Sequence, residues 1–230
     1  MLLLNDTSAI QFAAQYNPEL VELHSVCLNV PQLQQAIIEK IYSRVKIVIG
    51  VGGCTIQEID NALGEFNKRE TILMFGFQNY PTKYADVNLK RIRKIQALYS
   101  DKKYGYADHT AWNEENNELI TLLLSGNGMH YIEKHITTEY GKDRCDYSAA
   151  ISIEMFNSLA NKVNLLNSIA GDGSILLNEG EQQYSKYGPM KMAGLANKSL
   201  KKGEKVSLED INVRRTSQTT DISQIELLEN

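Results

Sequence analysis

Four histidines are spread over the 230 residues, and two of them occupy equivalent places. "YGYADHT" (104–110) is an apolar run ending in Asp108 and His109, and "HYIEKHIT" (130–137) is another ending in Glu133, Lys134 and His135. Two neutral imidazoles brought together could share a divalent ion such as Mn, Fe, Co, Ni or Zn, with Asp108, Glu133 or Asp146 ligating or orienting them. Spacing alone does not decide this, because histidines from two separate segments fit no strict local motif. "IGVGGCT" (49–55) could present backbone N–H groups to a phosphate where Thr55 opens a helix. It is neither a Walker A loop nor G-x-G-x-x-G, and a tight turn needing glycine torsions explains it equally well. No Ser/His/Asp or Cys/His nucleophile pair is legible. His130 reads as a packed or outward-facing residue, and Lys134 alternates with Glu133 toward the opposite side.

Short apolar runs at 2–5, 20–25, 45–52, 71–77, 104–107 and 129–135 have the character of parallel strands buried on both faces. Helical patterns lie between them. Residues 30–44 carry Pro31 near a first turn and Leu33, Ile37, Ile38 and Ile41 on one face. Residues 55–66 open with a Thr55/Glu58 capping box, 86–100 space Leu89, Ile92, Ile95 and Leu98 helically, and 152–171 run from Ser152 to Gly171. This alternation is the period of an open parallel sheet or a (β/α)₈ barrel. Six strands are countable, so a barrel would be incomplete, with about six βα units. The main domain is 1–171, and 172–230 reads as a polar, Gly-rich linker followed by the start of another segment.

Ligands of such folds gather at the C-terminal ends of the strands. His24, Ser25, Gln78, Asn79, Tyr80, Asp108, His109, Glu133 and His135 would all lie there. Strand-end capping suffices for any one of them; the set together points to a site.

The net charge is −4 with no basic stripe, which implies no affinity for nucleic acid. Three dispersed cysteines, with no C-x-x-C, fit a reducing cytosol and neither a disulfide framework nor structural zinc. The start "MLLLNDTSAI" is not a signal peptide, and no run is long enough to span a bilayer, so a cytoplasmic location is expected.

"FGFQNYPT", "VNLKRI", "GYADHT", "IEKHIT", "DYSAAISIEMF" and "SLKKGEKVSLEDINVRRT" occur in that order. Together they resemble the sialic acid synthase (N-acetylneuraminate synthase) family, including its spore-coat polysaccharide branch, over most of the chain. The resemblance implies a TIM (β/α)₈-type barrel followed by a small antifreeze-like (SAF) domain, of which residues 172–230 would hold the linker and the beginning. It implies a transferase that condenses phosphoenolpyruvate with an N-acetylated hexosamine and releases phosphate, using Mn²⁺ or alternatively Mg²⁺. His109 and His135 match the metal histidines. Asp146 and Glu133 are the candidate catalytic carboxylates, Asp146 touching substrate and Glu133 facing the sugar or supporting the metal ligands. Ser25, Gln78, Tyr80 and Asp108 are the candidate substrate contacts, Ser25 near the phosphate of phosphoenolpyruvate and Gln78 and Tyr80 in the loop above it.

The chain also departs from the family pattern. Counterparts of the first two barrel strands, with their glutamate and phosphoenolpyruvate-binding lysine, are absent. Glu22 stands where a lysine pairs with phosphate, which replaces attraction with repulsion. Cys27 stands at a usually acidic position, Ala107 at a serine and Phe75 at a histidine. A sheet of six strands would leave two open edges, so a homodimer or a separately encoded N-terminal barrel piece is the expected partner. A catalytically inactive relative that keeps a metal, sugar-binding or scaffold role is the alternative function.

Overall fold

The computed structural model describes residues 1–77 and 79–229. Two compact units divide at Ala170/Gly171. The first contains a sheet of six parallel strands in sequential order: β1 (Leu2–Leu4), β2 (Leu20–Leu23), β3 (Lys46–Gly50), β4 (Thr71–Gly76), β5 (Lys103–Asp108) and β6 (Tyr131–Lys134). The helices that connect them are α1 (Thr7–Tyr16), α2 (Pro31–Lys40), α3 (Ile56–Glu65), α4 (Leu89–Leu98) and α5 (Asn117–Ser125). The sheet curls into a half-barrel, consistent with part of a TIM-type barrel. Beyond β6, the short strands β7 (Ile136–Thr137) and β8 (Ile151–Ser152) pair in parallel, and α6 (Ile153–Ala170) follows.

Strand parity sorts the side chains, because successive residues of a strand point to opposite faces. Val21, Leu23, Ile47, Ile49, Leu73, Phe75, Tyr104 and Tyr106 join Ile10, Ile37, Ile59, Ile92, Ile95 and Ile120 of the helices in the main core. Val48, Ile72, Met74 and Ala107 form a smaller cluster on the other face, inside the curl. Both faces are therefore apolar near the middle of the sheet, which is why the strands read as continuous hydrophobic runs.

Local signals fix the helix starts. Thr55 and Glu58 exchange the two hydrogen bonds of a capping box at α3, and Pro31 occupies the first turn of α2. Asp6 caps α1 by accepting the Ala9 N–H at 2.7 Å. Two glycines are obligatory at the cavity end of the sheet. A Cβ on Gly52 would lie 1.7 Å from the Gly76 carbonyl oxygen, and Gly76, at φ +104°, would put one 2.1 Å from the Ala107 oxygen.

The sequence reading overlooks α1 and α5. Helix α1 is short and buries only Ile10 and Ala13, and α5 carries the apolar run "LITLLL", which does not show a clean helical stripe. The second unit, Gly171–Asn230, contains α7 (Glu179–Tyr184) and an antiparallel pair, β9 (Ala193–Ala196) with β10 (Ile211–Arg214). Among the described residues no helix is long and apolar enough to cross a membrane. Cys27, Cys54 and Cys145 are free thiols.

Candidate functional site

The C-terminal ends of β2 to β6 open onto one cavity of about 160 Å³. Glu22, His24 and Ser25 reach it from β2 and its following turn, Gly50 and Gly52 from β3, and Met74, Phe77 and Tyr80 from β4 and its loop. Ala107 and His109 come from β5, Glu133 and His135 from β6, and Asp146 from the loop before β8. Parity explains the selection: Leu3, Glu22, Met74, Ala107 and Glu133 all point inside the curl, while their chain neighbours point to the helices.

The centre of the site is an aromatic and imidazole cluster. The His109 and His135 rings lie 5.1 Å apart between centroids, with Tyr80 5.7 Å from His109 and 6.4 Å from His135. Phe77 stands 5.5 Å from His109 and 4.7 Å from His24, edge-on to both. Gly76 and Phe77 have successive positive φ values, +104° and +55°, which turn the chain sharply and bring Phe77 and Tyr80 over the cavity. A left-handed phenylalanine is costly and persists where the surrounding structure enforces it.

His109 is held at several points. Its Nδ1 lies 3.0 Å from the Ala107 carbonyl oxygen, so that nitrogen donates and Nε2 is left bare for a ligand. Its own carbonyl accepts the Thr82 N–H at 2.8 Å. Burial, and next the neighbouring His135, push the His109 pKa down to about 4, so the ring is neutral at pH 7. A neutral imidazole with a bare nitrogen is the form that ligates a metal. Two imidazoles fit a divalent ion whose remaining positions are filled by water or substrate. Among the described residues no three His, Cys, Asp or Glu side chains converge to hold one by themselves.

Three carboxyls line the same cavity. Glu22 is 5 % exposed, and burial, then the charge of Glu133, raise its pKa to about 8. Burial raises Glu133 as well, with His135 acting in the opposite direction. Asp146 is exposed at the mouth, with φ +58°. No lysine or arginine is among the described lining residues. The Tyr80 hydroxyl is buried and has no hydrogen bond within 3.5 Å among the described residues. Its pKa is raised by burial and then by Asp146, with the Ala149 backbone acting the other way.

Of the residues singled out from sequence, His109, His135, Glu133, Asp146, Ser25 and Tyr80 share this cavity. Gln78 lies outside the described residues. Asp108 does not reach the cavity, which corrects its reading as a substrate contact. It is the next residue on the helix-facing side of β5 after Tyr104 and Tyr106, and it is 1 % exposed. Its Oδ2 accepts from Lys134 Nζ at 2.9 Å and Thr121 Oγ1 at 2.6 Å, and its Oδ1 accepts from the Thr110 N–H and hydroxyl. His130 is exposed, and its Nδ1 accepts the Tyr104 N–H at 3.3 Å. The sequence reading missed Phe77, which counting to the inside-facing positions beyond Met74 would not have found, since its orientation comes from the left-handed turn.

The chain is 26 % identical over 194 residues to the N,N'-diacetyllegionaminic acid synthase of Legionella pneumophila, which covers 81 % of this chain and 51 % of that protein. The structure of N-acetylneuraminic acid (sialic acid) synthetase from Leptospira borgpetersenii superposes with a TM-score of 0.69 at 22 % identity, over 79 % of this chain and 61 % of that one. A spore coat polysaccharide biosynthesis protein E from Chromobacterium violaceum gives 0.78 at 17 % identity, over 97 % of this chain and 66 % of that one. The chain spans about half the length of the curated relatives it matches. The model of the NeuB family matches residues 5–175, well over half of the chain, and the chain therefore belongs to the NeuB family.

Proposed function

We propose that the cavity is the active site of a nonulosonic acid synthase-like transferase, which condenses phosphoenolpyruvate with an N-acetylated hexosamine in surface polysaccharide biosynthesis. The observation that supports this most is the convergence of His109, His135, Glu133, Tyr80, Ser25 and Asp146 on one cavity in a NeuB-family chain. In this reading His109 and His135 hold a divalent ion, Mn²⁺ by preference and Mg²⁺ as the alternative. When bound, the ion supplies polarisation of the sugar aldehyde. The Nδ1 contact to Ala107 leaves Nε2 of His109 as the nitrogen that would ligate the ion. Glu133 orients the sugar, Asp146 contacts substrate at the mouth, and the Tyr80 hydroxyl and Ser25 donate to the phosphate-bearing partner. The enolpyruvate C3 would add to the aldehyde carbon, whose oxygen takes up a proton. Water then adds to C2, and loss of phosphate with its C–O bond leaves the 2-keto acid, the residues serving to hold the two substrates together.

A second reading is favoured by one specific observation: three carboxyls and no cationic side chain among the described cavity-lining residues. A phosphate dianion would meet the Glu133 carboxyl and a Glu22 carboxyl held largely protonated near neutral pH, with no compensating positive side chain among the described lining residues. On that reading the chain is a non-catalytic relative that binds a metal and a neutral sugar. Either reading leaves the outer strands β1 and β6 paired on one side only among the described residues. We propose a second copy of the chain or a complementing barrel piece there, in the cytosol.

Phosphate release from phosphoenolpyruvate with N-acetylmannosamine and Mn²⁺, compared with His109→Ala, decides between the two. Turnover lost in the variant supports the synthase. No turnover, together with retained binding of N-acetylmannosamine, supports the non-catalytic relative.

A further inference from the structure

Lys134 and Asp108 form an ion pair whose side chains are 1 % and 0 % exposed. Neither residue faces the cavity. Yet each directly precedes one of the two histidines in the chain, and the two stand opposite each other in the β5–β6 register. The pair is therefore a cross-tie between the two strand ends that carry His109 and His135, on the sheet face opposite the rings.

The tie extends into the layer of helices. Asp108 Oδ2 also accepts from Thr121 of α5 at 2.6 Å. Its Oδ1 takes both the N–H and the hydroxyl of Thr110, at 2.9 and 2.6 Å, which closes the backbone around His109 on both sides. Asn117, at the start of α5, donates to the carbonyls of Thr110 and Ala111 at 3.0 and 2.6 Å. One strand end, the loop after it, the first helical turns behind it and the neighbouring strand are thus joined through a single carboxylate. Burial alone would raise the Asp108 pKa; Lys134, then the Thr110 and Thr121 hydroxyls, outweigh it and hold the group ionised. A buried charge pair is poor value for stability compared with apolar packing, which leaves orientation as the property it supplies.

We propose that Asp108 and Lys134 are positioning residues that set the mutual orientation of His109 and His135 and thereby the affinity of that histidine pair for a divalent cation. The metal part of this inference rests on the reading that the two histidines ligate the ion. Partners behind ligating histidines commonly tune metal affinity by about 10–100-fold.

The test is the double variant Asp108→Asn/Lys134→Met, which removes both charges and keeps the volumes, so that no uncompensated charge stays buried. Mn²⁺ binding is read by electron paramagnetic resonance on the full chain, and the imidazole nitrogens by NMR of the metal-free protein. The expected result is a native-like melt, Mn²⁺ affinity weaker by about 10-fold or more, and a His109 tautomer averaged where the wild type holds Nδ1–H. Affinity within about two-fold of wild type, with the tautomer unchanged, overturns the proposal, because a merely structural pair would leave both readouts alone. If wild type binds no Mn²⁺, or binds it equally after His109→Ala, the metal reading falls, and the tautomer alone decides the positioning role. If the double variant does not fold, Thr121→Val keeps both charges and is expected to weaken Mn²⁺ binding several-fold; unchanged binding and tautomer there overturn the proposal.

Discussion

Replacing Glu22 by Gln isolates the most perturbed carboxyl of the cavity. In the sheet Glu22 stands between Leu3 and Val48, and it points inside the curl toward Glu133. Its pKa rises from 4.5 to about 8, by burial first and the charge of Glu133 second. The folded state therefore binds more protons than the unfolded state between those two values, and stability falls as pH rises through that window. At about 1.4 kcal/mol per unit, full ionisation removes about 5 kcal/mol of stability, a large share of what a domain typically has. Glutamine keeps the shape and cannot ionise. The variant should equal the wild type, or fall about 1 kcal/mol short through a changed hydrogen bond, near pH 5. It should gain steadily on the wild type up to pH 8 or 9. Urea unfolding at unit pH steps with a chelator present measures the difference, which reports Glu22 together with its coupling to Glu133. Parallel stability curves from pH 5 to 9, or a variant that loses ground as pH rises, would refute the reasoning.

On the acid side His109 contributes. Its folded pKa of about 4 lies below the 6.5 of an exposed histidine, so its contribution is present above pH 6.5 and is lost as pH falls to 4, by about 3 kcal/mol in the metal-free protein; His109→Asn should flatten that limb of the same unfolding series. Lys134→Ala leaves Asp108 buried with its charge uncompensated and should cost about 3–5 kcal/mol in urea unfolding. Gly76→Ala combines an unfavourable φ of +104° with a Cβ 2.1 Å from the Ala107 oxygen, and should lower stability by at least about 2 kcal/mol, readable as a lower melting temperature; a melt equal to wild type would mean that β4 and β5 approach less closely than described.

The strands and three of the connecting helices were legible because their signals are local. Buried parallel strands need apolar residues on both faces, and Thr55, Glu58 and Pro31 mark helix starts whatever surrounds them. Helices α1 and α5 were not, since a ten-residue helix with two buried contacts and a nine-residue one dominated by leucine carry little periodic information. Period-two alternation also held what was needed to turn Asp108 away from the cavity: Tyr104, Tyr106 and Asp108 share one face, Ala107 and His109 the other. Residue type argued for a polar ligand contact, and strand parity decided otherwise.

By itself the sequence determined the six strands, the histidines at matching strand ends and the carboxyls nearby, because residue type and spacing are properties of the chain. Only the tertiary structure decided that His109 and His135 lie 5.1 Å apart, that Phe77 leans across His24 and His109, and that Lys134 neutralises Asp108 rather than a ligand. These depend on the curl of the sheet, the left-handed turn at Gly76–Phe77 and the register of β5 on β6, none of which any single segment specifies. Glu22 shows the division most clearly: its identity is written in the sequence, while its proton is set by what packs around it.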